Sequence, residues 1–157
     1  YAALVELLDQ NVGRILMAIR DPNGDGKFDD DLSEDTLFIF TSDNGGLRNN
    51  APLTGRKGHL FEGAIRVPLI VRWPGKIEAN SISTQSVHCI DYYPTIAEFL
   101  DVDVSDRQLD GVSIARILTG EETQLERRNL FWHFPGYMDF RTRPSSVIQR
   151  REGEDSY

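Results

Sequence analysis

The sequence predicts an α/β fold, and three stretches carry the prediction. Leu4, Leu8, Val12, Ile15, Leu16 and Ile19 recur at three- and four-residue steps, the period of a helix with one apolar face. "TLFIF" (36–40) is an apolar run without charge, long enough for a strand covered on both faces, as in a parallel sheet. "VPLIVRW" (67–73) is a second such run, closed by the turn former Pro74–Gly75.

In chain order, the helix runs from the start to about Ile19, and residues 20–35 form a polar, acidic loop. A strand over 36–41 follows, then a long Gly- and Asn-rich loop through Arg66, then the strand over 67–73. Asp91 is placed to cap a helix "YYPTIAEFL", with Pro94 tolerated in its first turn. A shorter helix, "SIARILTG", ends at Gly120, and "NLFWHF" (129–134) reads as a strand. The tail "RREGEDSY" is charged and patternless, the first part of a further hairpin. Buried flat strands need flanking strands, and the first helix needs a sheet to cover. Exposed apolar surface, covered by a partner or by a second copy, is therefore expected.

Composition narrows the function. The 157 residues suffice for one domain with a core. Seventeen Lys and Arg against twenty-five Asp and Glu give a net charge of −8, the opposite of a nucleic-acid binder's basic face. Nothing in the chain is apolar for long enough to cross a bilayer, so no membrane partner is expected. The single cysteine, Cys89, excludes an internal disulfide framework and a cysteine-only zinc site. The chain opens on Tyr1, inside the predicted helix, as expected of a piece of a longer protein.

Two segments offer oxygen ligands to a hard cation. In "DPNGDGKFDDD" (21–31), Asp21, Asn23, Asp25, Gly26 and Asp29 fall at the first, third, fifth, sixth and ninth places of an EF-hand calcium loop. The twelfth place needs a bidentate Glu and holds Leu32. A shortened calcium loop and a solvated acidic turn are both open readings there. The other segment is "TSDNGG" (41–46), at the end of the first strand. Ligands of open α/β sheets bind outside the carboxyl ends of strands, where Asp43 and Asn44 fall. Gly45 and Gly46 permit a sharp turn and a close approach, yet Asp, Asn and Gly also make ordinary turns.

A family resemblance bears on that choice. "TLFIFTSDNGG", "PLTGRKGHLFEGAIRVPLIVRWPGKI", "DYYPTIAEFLDV", "LDGVSIARILTG" and "LFWHFPGY", in this order, resemble the later part of a type I sulfatase, of the alkaline-phosphatase superfamily. "YAALVELLDQNVGRIL" resembles the segment before that family's metal-binding strand, so the likeness runs from Tyr1 to about Gln149. It implies an alkaline-phosphatase-like core, a mixed, largely parallel sheet flanked by helices. Residues 1–120 would belong to that core, and 121–157 would begin a small, truncated C-terminal subdomain.

The resemblance also implies roles. Asp43 and Asn44 match calcium ligands, and Lys57 matches a lysine that contacts the sulfate ester. Cleaving an S–O bond builds negative charge that a fixed ammonium and a divalent cation both stabilise. His59 stands where the family often has a small hydroxyl residue, and either hydrogen-bonds a sugar or sulfate group or packs. Arg56 replaces a frequent glycine, and either binds a second anionic group of the substrate or faces solvent. Glu62 and Arg66 match the "EGG.R" run, with Ala64 replacing the second glycine, and are expected to form an ion pair holding the loop. His88 and His133 are expected to be packed, and Cys89 to be a core residue.

The family's nucleophile is a formylglycine made from the Cys or Ser of a C-x-P-x-R type motif in its N-terminal half. That half also supplies further aspartates of the calcium site. No such motif occurs in this sequence. The expected parent is a calcium-dependent sulfatase acting on a sulfate ester, including a sulfated sugar, and this chain by itself is expected to be inert. The N-terminal half or a second copy is the expected cover for its apolar surface. Location by resemblance is periplasmic, secreted or lysosomal. The alternatives are a phosphate or phosphonate ester hydrolase of the same superfamily and a non-enzymatic calcium-binding module built on residues 21–31.

Overall fold

The computed structural model describes residues 1–48, 50–126, 129–136 and 145–150. In order, the chain forms α1 (Ala2–Arg20), β1 (Phe38–Thr41), α2 (Glu62–Ile65), β2 (Leu69–Arg72), α3 (Tyr92–Phe99), α4 (Ala115–Leu118), β3 (Asn129–Phe134) and β4 (Ser145–Arg150). β1 pairs with β2 in one two-stranded sheet and β3 with β4 in another. β3 and β4 are antiparallel, with Phe131 opposite Ile148 and His133 opposite Ser146. The chain divides into two compact units, Tyr1–Ile39 with Val71–Ser81, and Phe40–Ile70 with Ile82–Tyr157. The tail beyond Arg150 lies outside the described residues.

In the first unit α1 follows the predicted period, but it buries none of its side chains. Leu4 is 69% exposed, Leu8 51% and Ile15 53%, while Val12, Leu16 and Ile19 are half-buried. After Arg20 the acidic loop folds on itself. Asp21 accepts from the backbone N–H groups of Gly24, Asp25 and Gly26, and Asn23 accepts from that of Asp25. Asp25 in turn accepts from the Lys27 N–H, and Asp30 from the Asn23 N–H. The Arg20 guanidinium lies 4.0 Å from the centre of the Phe28 ring, a cation–π contact. The hydroxyl and backbone N–H of Ser33 hold the Asp31 carboxyl below its usual range. Trp73 donates its indole N–H to the Glu34 carbonyl, tying the end of this loop to the segment after β2.

The second unit has its core around α3 and α4, where Ala97, Ile114, Ala115 and Ile117 are buried; Ala64 and Leu130 are buried elsewhere in the unit. A polar node runs through that core. Asp91, with no exposed surface, accepts from the His88 N–H at 2.8 Å and the Val112 N–H at 3.1 Å. One turn on, the Thr95 hydroxyl donates to the Asp91 carbonyl and accepts from the Ile114 N–H. These bonds satisfy donors that would otherwise be buried unpaired. Gly111 passes so close to the Ile90 carbonyl that a Cβ there would collide with backbone.

Several expectations need correction. The strand after the acidic loop is Phe38–Thr41, half-buried and ending exposed, not buried on both faces. It has one paired neighbour among the described residues, which leaves its apolar side chains only partly covered. Asp91 holds the N-cap position of α3 as expected, but its side chain makes no capping bond there; as the third residue of a 3-10 turn, Cys89–Asp91, it accepts instead from the N–H of His88, the residue before that turn. That turn has three residues per revolution, so one of the three faces inward. Asp91 takes that place, leaving Cys89 exposed and outside the core. His88 is half-buried, tilted against Trp132 with ring centres 5.2 Å apart. His133 is exposed on β3 and bonds the Ser146 hydroxyl across the hairpin at 2.7 Å, because alternation puts it on the open face.

Removing the buried carboxylate tests the node. Asp91→Ala strands the His88 and Val112 N–H groups and should destabilise the fold by roughly 2–4 kcal/mol. A shift in the urea midpoint, with an unchanged slope, checks it.

Candidate functional site

The five site residues named from the sequence, Asp43, Asn44, Arg56, Lys57 and His59, all lie in the second unit, in the connection between β1 and β2. That connection crosses itself. The Gly45 N–H donates to the Ala64 carbonyl at 2.7 Å, and the Gly63 N–H donates to the Thr54 carbonyl at 2.6 Å. A Cβ on Gly45 would overlap the Gly63 carbonyl, and one on Gly63 would press on the carbonyls of Gly55 and Thr54. The crossing therefore requires glycine on both strands of chain. It explains Gly45 and Gly63 by close approach between two stretches of this chain's own backbone, where the sequence suggested for Gly45 a sharp turn and an approach to a bound group.

At the end of β1, Asp43 is exposed and Asn44 half-buried. Asn44 donates its backbone N–H to one Asp43 carboxylate oxygen at 3.0 Å and its side-chain amide to the other at 2.6 Å. The Ser42 hydroxyl donates to the Asn44 carbonyl at 3.0 Å. The oxygen that takes the Asn44 N–H also has the Ser42 hydroxyl 3.5 Å away, the other keeps a second lone pair, and among the described residues the Asn44 amide oxygen has no partner, so hard oxygens remain available. In kind they suit calcium. In number they do not complete it, since calcium takes roughly six to eight oxygens. Among the described residues no cluster of three or more His, Cys, Asp or Glu comes together.

The lysine reaches the same segment through its backbone. The Lys57 N–H donates to the Gly46 carbonyl at 3.0 Å, two residues beyond Asn44. Among the described residues its ammonium has no hydrogen-bond or ion-pair partner, and the side chain is half-buried. Arg56 is exposed and likewise free of partners among the described residues. His59 is half-buried, edge-on to Phe61, and its Nδ1 is buried without a hydrogen bond. Packing alone does not use that nitrogen. Glu62 and Arg66 form the expected pair at 3.5 Å across one turn of α2, but both are exposed, so the pair contributes little.

Sequence reading passed over Asn50. Its side-chain amide donates to the carbonyls of Gly46 at 3.0 Å, Gly55 at 3.2 Å and Gly63 at 2.8 Å. Nothing in "LRNNAP" distinguishes it from an ordinary loop asparagine, because its acceptors lie as far as thirteen residues away along the chain.

By comparison with known proteins, the Sulfatase family profile matches residues 1–102, and the profile described as N-sulphoglucosamine sulphohydrolase, C-terminal, matches residues 56–149. The chain is 51% identical to a sulfatase of Formosa agariphila, over all of this chain and 30% of that protein. It is 32% identical to the steryl-sulfatase of Mus musculus, over 88% of this chain and 23% of that one. The chain thus spans about a third or less of the curated relatives it matches. Among solved structures it superposes on Ps i-CgsB with a TM-score of 0.75 and 30% identity, covering 96% of this chain and 32% of that one. PsFucS1 sulfatase from Pseudoalteromonas sp. superposes with a TM-score of 0.71 at 22% identity, over 96% and 34%, a likeness of fold alone. The fold is the alkaline-phosphatase-like α/β arrangement expected from the sequence. Among the described residues no helix is long and apolar enough to cross a membrane.

Gly45→Ala tests the crossing. The added methyl must push the two chains apart, and a stability loss of about 1–3 kcal/mol is expected from the overpacking. Thermal or urea unfolding of the variant measures it.

Proposed function

This chain belongs to the sulfatase family, and on that footing we propose that it forms the part of a sulfate ester hydrolase that carries Asp43, Asn44 and Lys57. The reaction is R–O–SO₃⁻ with water to give R–OH and hydrogen sulfate. The observation that carries the proposal is the Lys57 N–H bond to the Gly46 carbonyl, which seats the lysine's backbone beside the Asp43–Asn44 segment.

Asp43 and Asn44 would hold calcium, completed by aspartates from the N-terminal half. Calcium bound there supplies positive charge to the sulfate oxygens. Lys57, with no competing carboxylate among the described residues, presents its ammonium to the sulfate ester and stabilises the charge that grows as the S–O bond breaks. Arg56, exposed beside it, is placed to bind a second anionic group, as on a sulfated sugar. His59 would bond the substrate only by turning its ring, since its unpartnered Nδ1 is buried. The formylglycine nucleophile would come from the N-terminal half, since these 157 residues contain no C-x-P-x-R type motif. That half is also the proposed cover for the exposed apolar side chains of α1. A periplasmic, secreted or lysosomal location accompanies this reading.

The acidic loop is not given this role. Its Asp21 and Asp25 carboxylates are engaged by the loop's own N–H groups, although Asp30 keeps one oxygen buried without a hydrogen bond, and the loop lies in the other unit from Lys57.

In the full-length enzyme, Asp43→Ala should lose calcium affinity and sulfate release together, whereas Asp25→Ala should leave turnover intact. Calcium titration calorimetry alongside an aryl sulfate assay separates them, and loss of turnover in Asp25→Ala would move the site to the acidic loop.

Lys57→Ala should lower kcat/KM by roughly two to three orders of magnitude, the scale of one preorganised charge stabiliser. The unfolding midpoint should not move. Lys57→Arg should recover only part of the loss, because a planar guanidinium does not occupy the place of a compact ammonium. Steady-state kinetics on both variants check this.

A further inference from the structure

We infer that Asn50 is a positioning residue, whose carboxamide fixes the Lys57 loop against the Asp43–Gly46 segment and so sets where the ammonium stands relative to Asp43 and Asn44. The inference rests on the function proposed for Lys57, but its structural half stands separately.

Three stretches of backbone meet at this one side chain: Gly46 after the Asp43–Asn44 pair, Gly55 before Arg56 and Lys57, and Gly63 in α2. An amide group carries two hydrogens, so the three carbonyls share them. Gly46 both accepts from Asn50 and accepts from the Lys57 N–H, so one carbonyl joins the asparagine to the lysine. A Cβ on Gly46 would stand 2.6 Å from the Asn50 amide oxygen, closer than such atoms pack, so the absence of a side chain at Gly46 makes room for the asparagine. Asn50 also closes its own loop, its carbonyl accepting from the Leu53 N–H at 3.0 Å.

Asn50 touches neither the proposed metal ligands' side chains nor the Lys57 ammonium, so it acts through the backbone that carries them. Its loss should then misplace a charge without removing it. A misplacement of about 1 Å costs on the order of 100-fold in rate.

Asn50→Asp in the full-length enzyme is the discriminating variant, because it keeps the shape and removes both donors. Its carboxylate would face three carbonyl oxygens. Two readouts are taken. Amide hydrogen exchange followed by mass spectrometry should show faster exchange in peptides spanning residues 42–66, which contain the Gly45, Lys57 and Gly63 N–H bonds, with exchange in the rest of the protein unchanged. Aryl sulfate kinetics should show kcat down on the order of 100-fold with KM close to wild type. Wild-type exchange and kcat in Asn50→Asp would overturn the inference, leaving only a space-filling role. Faster exchange throughout the protein with a lowered midpoint would overturn it too, since the residue would then hold the fold as a whole. If the wild-type enzyme releases no sulfate, the function proposed above fails, and the exchange readout alone decides for or against Asn50.

Discussion

The candidate site depends on one close approach, the passage of Gly45 over Gly63. Two backbones cross with no side chain between them, and the Gly45–Ala64 and Gly63–Thr54 hydrogen bonds hold the crossing on either side. Everything assigned to the site hangs from it. Asp43 and Asn44 precede one strand of the crossing, Lys57 and His59 precede the other, and Asn50 gathers carbonyls from both. A long loop is a poor place to hold charges precisely unless its backbone is tied down. Here the ties are main-chain hydrogen bonds and the Asn50 amide, so the ammonium of Lys57 is left free to meet a substrate.

The second constraint is the buried Asp91. It stands at the start of α3 and reaches the segment leading into α4, so one carboxylate fixes the approach of two helices. Thr95 repeats the device one turn later through its hydroxyl. The small core formed with Ala97, Ile114 and Ile117 is thus registered by polar bonds, while its apolar contacts supply burial. The same inward turn of Asp91 puts Cys89 outside, which shows how a single buried acid decides the fate of its neighbours.

The first unit has a different character. The helix α1 is regular along its length and yet leaves Leu4, Leu8 and Ile15 facing outward. Burial of such side chains is the main source of a helix's tertiary stability, so among the described residues α1 leaves much of that stabilisation unused. The neighbouring acidic loop is held differently, because Asp21, Asn23 and Asp25 accept from the loop's own N–H groups.

Local pattern determined the elements. Period fixes α1 nearly to the residue, apolar runs locate β1 and β2, and "NLFWHF" gives β3 with its bounds, because each signal is a property of adjacent residues. The motif order also identified the family, since a string of short motifs is written directly in the chain. What tertiary structure alone decided is which groups meet across distance. That Asn50 bonds carbonyls up to thirteen residues away, that Asp91 turns inward to Val112 and Cys89 outward, and that β1 is only half-covered follow from how segments approach one another in space. Propensity and periodicity describe a residue's neighbours along the chain; hydrogen bonds and burial depend on its neighbours across it.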